Sequence, residues 1–148
     1  METFWSDLLE KYRLAFTEWV KVTLNQDDIV LVESKKFDSG NEYFIISSPW
    51  QGVLPVTFND QVAIGLPCYF DALGIRIDAA PARFQTYFML RVFENQDSGY
   101  WLSDEGWNKY GDPIKAQRSC RWMEYPSRIE ATKAGIQKAF EIREAQLN

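Results

Sequence analysis

Residues 43–75 form a run of thirty-three with only two charges, Asp60 and Asp71, and the run is interrupted by Pro49, Pro55, Pro67, Gly52, Gly65 and Gly74. Its apolar content calls for burial. Its prolines remove backbone donors and its glycines loosen the chain, so it cannot be one long regular element. The spacing predicts short strands over 53–58 and 61–64 and a single helical turn near 69–73. Loops usually run over the surface and are polar. The connection Pro49-Trp50-Gln51-Gly52-Val53-Leu54-Pro55 is apolar, so it either packs down on the core or forms a contact surface.

The flanks are more regular. Over 3–24, apolar side chains fall at Trp5, Leu8, Leu9, Tyr12, Ala15, Phe16, Trp19 and Val20, one face of a 3.6-residue helix that stops near Asn25. Residues 29–33 (IVLVE) and 43–47 (YFIIS) read as a hairpin, with Lys35 and Lys36 guarding its edge. Ile75 and Ile77 alternate with Arg76 and Asp78 as a half-exposed strand that breaks near Ala79. Residues 83–94 are apolar on both faces, which places them centrally, and Asn95-Gln96-Asp97-Ser98-Gly99 turns them back through Tyr100-Trp101-Leu102.

Residues 114–124 fit either a strand or a short helix, with the strand favoured. Ser127 and Glu130 form a capping box at the start of a last helix running to about Ala145. Ile129, Ile136, Phe140 and Leu147 lie along one side of it, and Gly135 weakens it by about 1 kcal/mol relative to Ala. The expected fold is α+β, with an antiparallel sheet of about five to six strands and long N-terminal and C-terminal helices packed on one face. At 148 residues, a single globular domain over 1–148 is expected.

Composition narrows the chemistry. The chain has no histidine, which removes the commonest general base and transition-metal ligand. Ser–His–acid and Cys–His catalysis are excluded with it. Net charge is −5, which disfavours nucleic acid as a partner. The acidity is uneven: residues 1–112 hold 9 basic and 17 acidic side chains, whereas 113–148 hold 7 and 4. Lys115, Arg118, Arg121 and Trp122 are too few to mark a nucleic-acid site and fit a solvated strand better. Cys68 and Cys120 form no metal or disulfide spacing and suit a reducing compartment. Cys68, with no nearby cation in sequence, reads as a buried inert thiol. The acidic N-terminus lacks a signal-peptide pattern and no stretch of about 20 apolar residues occurs. The expected location is cytoplasmic, away from membranes, with no cofactor and no metal.

Binding candidates are aromatic. Trp50 stands in the apolar loop. Trp101, Trp107 and Tyr110 fall beside Asp104 and Glu105, a combination suited to a cationic group or a sugar. The plainer alternative places Trp101 and Trp107 against the sheet and leaves Asp104 and Glu105 as a solvated acidic loop.

Three functions follow. The favoured one is a non-catalytic protein–protein interaction module of the inhibitor, immunity or chaperone kind. Its partner is unknown, with a basic protein or a second copy as candidates. The order of elements is similar to that of small acidic secretion chaperones, a likeness of order that carries no motif. The alternative is a small-molecule or carbohydrate-binding domain with an aromatic pocket. The third is an enzyme working through two carboxylates, which lacks any recognisable motif here.

Overall fold

The computed structural model describes residues 3–81, 88–96, 99–102 and 123–148. The N-terminal apolar face is helical as expected, but it forms two helices, α1 (Phe4–Lys11) and α2 (Arg13–Leu24), rather than one. Tyr12 between them has φ −130° and ψ 56°, outside the helical region. The break is sustained from far along the chain. In a continuous helix the Ala15 N–H would bond four residues back; instead it donates to Glu144 Oε1 at 2.8 Å. The start of α1 is capped likewise: Trp5 and Ser6 donate their N–H groups to the two carboxylate oxygens of Glu42 at 3.1 and 3.2 Å. Both carboxylates sit at helix N-termini, where unpaired donors and the helix dipole favour negative charge. Asn25 ends α2 as anticipated, in the left-handed region at φ 53°. The N–H groups of Asn25 and Gln26 then return to the carbonyls of Val22 and Lys21.

Glu144→Ala is therefore expected to lower the unfolding free energy by about 1–2 kcal/mol, the usual effect of losing a helix cap. Glu144→Gln should lower it less, because the amide oxygen still accepts. A urea melt checks both, and an unchanged midpoint for the alanine variant would contradict the capping role.

Strands β1 (Leu31–Lys36), β2 (Glu42–Ser48) and β3 (Gly52–Val56) pair antiparallel in the order β1-β2-β3. A second antiparallel sheet contains β4 (Ile75–Pro81), β5 (Phe88–Gln96), β6 (Gly99–Leu102) and β7 (Met123–Tyr125). β5 is central as expected, pairing with β4 along one side and with both β6 and β7. Strand β4 continues through Ala79 and Ala80 to Pro81, opposite Leu90, Met89 and Phe88. The α+β class thus stands, while the strands divide between two sheets where one of five to six was expected. Of residues 114–124, only the last two fall in β7; the others lie outside the described residues. Lys115, Arg118, Cys120, Arg121 and Trp122 lie outside with them.

The expected strand at 61–64 is instead part of helix α3 (Asp60–Ala72), which contains Pro67. Proline inside a helix costs about 3 kcal/mol, so the local reading favours a break. Tertiary burial offsets it, because Ala63, Leu66 and Phe70 fall on one face and are all essentially inaccessible. Phe70 meets Phe140 edge-on at 5.0 Å between ring centroids. Cys68, expected to be buried, is exposed on α3, because it falls off that buried face.

The last helix, α4, spans Arg128–Leu147. Ser127 Oγ accepts the Glu130 N–H at 3.2 Å, the forward half of the expected capping box. The buried face is Ala131, Gly135, Ile136, Ala139 and Phe140, richer in small residues than the face read from the aliphatic positions. Leu147 is exposed.

The chain divides into two compact units, Met1–Asn59 with Arg143–Asn148, and Asp60–Ile142. The first has an aromatic core. Trp5 stacks on Trp19 at 5.6 Å, and Phe58 lies within 5.4 Å of Trp5, Trp19 and Phe44. The wide apolar face of the N-terminal segment is thereby used up as core. Arg143 adds a bidentate pair to Glu18 on α2, at 2.8 and 2.9 Å. In the second unit, α4 lies on the sheet at Gly135. Each terminal helical segment thus covers its own sheet, not one shared face. Among the described residues no helix is long and apolar enough to cross a membrane.

Candidate functional site

The turn Pro49-Trp50-Gln51 joins β2 to β3. Ser48, a buried polar residue, accepts the Gln51 N–H on its Oγ at 3.2 Å. Gln26 Nε2 donates to Gln51 Oε1, and Gly52 takes φ +75°, a value glycine reaches without the steric penalty of a side chain. These features tie the turn down on both sides. Its central side chain is nevertheless in solvent: Trp50 is 88% exposed. Of the two readings of the apolar loop, packing on the core is removed for Trp50.

The pairing register shows what surrounds it. Leu31, Ser47 and Val53 stand opposite one another across the three strands, as do Glu33, Ile45 and Pro55. Directly opposed residues share a face, so these six lie on one side of the sheet. The other side carries Val32, Phe44 and Ile46, all buried. The outward side is apolar at its open end, where Val53 is 65% and Leu31 42% exposed. Glu33 lies on this face, followed by Lys35 opposite Tyr43 further along the strand, while Asp27 and Asp28 follow Gln26, which reaches the turn. Pro55, on the outer strand of this sheet, has no N–H to offer an added strand. Contact by side chains is therefore favoured over sheet extension.

The remaining aromatic candidates are not brought to this turn by any described contact. Trp101 is placed by its backbone in β6, opposite Glu94. Trp107, Tyr110, Asp104 and Glu105 lie outside the described residues.

A second concave feature was not foreseen from the sequence. Within the unit Asp60–Ile142, a cavity of about 460 Å³ is lined by Ile64 and Pro67 from α3, Ile77 and Ala79 from β4, and Arg128, Ile129 and Thr132 from α4. Its lining is aliphatic, and the described lining residues belong to neither the Trp50 loop nor residues 100–110, where the alternative reading places an aromatic pocket. These residues come from three separated segments. Ile77 in its alternating strand, and Arg128 and Ile129 at the capped start of α4, had recognisable local settings, but nothing local brings them together. Among the described residues no group of three or more Cys, Asp and Glu side chains is arranged to hold a metal ion.

Fold and site together define an α+β protein that presents an exposed tryptophan beside an apolar sheet face. No protein-family model, curated protein or solved structure matches the chain.

Proposed function

We propose that this protein is a non-catalytic protein-interaction module that engages its partner through the Trp50 turn and the adjoining outer face of β1–β3. The observation that carries this reading is the near-complete exposure of Trp50 on a turn tied by Ser48, Gly52 and Gln26. Holding a large apolar side chain in water on an ordered turn leaves its burial energy for association, and tryptophan is enriched among interface anchors. Glu33 on the face and the acidic pair Asp27-Asp28 in the segment after α2 favour a partner that brings Lys or Arg to the rim of an apolar pocket. A second copy of the chain is the other occupant, through Trp50, Leu31 and Val53. The proposal includes a cytoplasmic setting, supported by the cysteine usage.

Trp50→Ala is expected to abolish association while moving the unfolding free energy by no more than about 0.5 kcal/mol, since an exposed side chain supports little of the fold. Pull-down from native lysate compares wild type with variant, and sedimentation of the pure protein tests self-association. A large loss of stability with association intact would overturn the reading.

A further inference from the structure

The cavity in the unit Asp60–Ile142 has a chemistry of its own, separate from the Trp50 surface. Its walls are the aliphatic side chains of Ile64, Pro67, Ile77, Ala79 and Ile129, and its polar groups are the Arg128 guanidinium and the Thr132 hydroxyl. The volume, about 460 Å³, falls inside the range of roughly 300–1,000 Å³ common for small-molecule sites. We infer that this cavity binds an aliphatic monocarboxylate, with the alkyl chain among the isoleucines and the carboxylate on Arg128 and Thr132.

Charge selects the headgroup. Among the described residues, Arg128 is the one ionised group lining the cavity, and no carboxylate lines it. The neighbouring cation on α4, Lys133, is engaged at 2.8 Å by Asp60. Arg128 lies with its Cζ 5.3 Å from the centre of the Phe88 ring. That cation–π contact restrains the side chain without using its N–H groups as donors, and those groups match a carboxylate. Less side-chain freedom is then lost on binding. Thr132 stands four residues after Arg128, one helical turn along the same face of α4, so its hydroxyl can donate to the same headgroup. Among the described residues the lining has no aromatic side chain, so it offers a sugar ring no stacking. The same lining suits an alkyl chain.

Calorimetric titration of the full chain with decanoate, held below its micellar concentration, tests the assignment against two probes of equal chain length, decanol and decyltrimethylammonium. Decanoate is expected to bind at one site and more tightly than either. Arg128→Gln should weaken decanoate by about ten- to a hundredfold, the effect of losing a hydrogen bond to a charged group, and leave decanol unchanged. Ile64→Trp, at a position 58% exposed and so tolerant of bulk, should block the cavity and abolish binding with the thermal midpoint retained. Ala79→Leu should do the same from the strand side. The inference fails if decanoate does not bind, if decanol binds as tightly, or if Arg128→Gln is without effect. It fails equally if the folded Ile64→Trp and Ala79→Leu proteins bind decanoate as wild type does.

Discussion

Phe16→Ala is expected to destabilise the protein by about 3–5 kcal/mol, the cost of deleting a fully enclosed aromatic ring and leaving its cavity. Phe16 has no accessible surface. It touches Trp19 edge-on at 5.3 Å, Phe44 at 5.6 Å and Phe58 at 6.1 Å between ring centroids. The substitution thus removes the link between α2 and the buried side of β2, as well as aromatic contacts worth about 0.5–1.5 kcal/mol each beyond area. Rings around the vacancy cannot collapse freely, because Trp19 is already stacked on Trp5. Small proteins are stable by only about 5–15 kcal/mol, so the variant should sit close to its unfolding transition at room temperature. Urea titration followed by tryptophan fluorescence measures this directly, and a loss below about 1 kcal/mol would show that Phe16 is not central to the core. Phe16→Leu, which keeps much of the volume, should lose distinctly less.

The second large effect has the opposite sign to the one helix propensity suggests. Gly135→Ala should stabilise an exposed helix by about 1 kcal/mol. Here it is expected to destabilise by about 1–3 kcal/mol, the usual cost of overpacking a core. A Cβ at Gly135 would lie 2.5 Å from Ile77 Cγ2 and 2.9 Å from Leu90 Cδ1, both well inside van der Waals contact. Ile77 Cγ2 sits on a β-branched carbon whose rotamer is stiff, so it cannot swing clear, and the helix must lift from the sheet. Pairing Gly135→Ala with Ile77→Ala removes the obstructing methyl. The double variant should recover part of the loss, with a coupling of about 0.5–3 kcal/mol in a double-mutant cycle. Additive losses would mean the contact at Gly135 is not what limits the site.

Both effects show where local reading stops. The periodic face of Trp5, Leu8, Phe16 and Trp19 was plain in the sequence, and those four residues are core, because a 3.6-residue repeat of large apolar groups has one way to be buried. Its division at Tyr12 was not visible, since Glu42 and Glu144, the carboxylates that cap the two pieces, lie 30 or more residues from the helix starts in the chain. Gly135 was legible only as a weak spot in a helix. Its use, a close approach to Ile77 and Leu90, depends on strands 40 to 60 residues earlier. In α3 the local signal pointed the wrong way. Gly65 and Pro67 oppose a helix, and burial of Ala63, Leu66 and Phe70 outweighs them.

The candidate site divides similarly. Trp50 stood out as an aromatic in an apolar loop bounded by prolines, with exposure undecided. Pairing of β2 with β3 decided it, because Pro49-Trp50-Gln51 became a hairpin turn projecting past the end of the strands. The cavity around Arg128 had no sequence signal, since three segments each contribute only two or three ordinary residues.

By itself the sequence determined the α+β class, the N-terminal helical face, the presence of a C-terminal helix, the β1–β2 hairpin, the central position of β5 and the helix stop near Asn25. All of these follow from side-chain period, turn chemistry and backbone stereochemistry, which act over a few residues. Tertiary structure decided the partition of strands into two sheets, the remote glutamate caps, the helical state of residues 60–72 and the exposure of Trp50. Each of those depends on burial energy and hydrogen bonds between segments distant in the chain, and outcomes of that kind are not encoded in any local stretch.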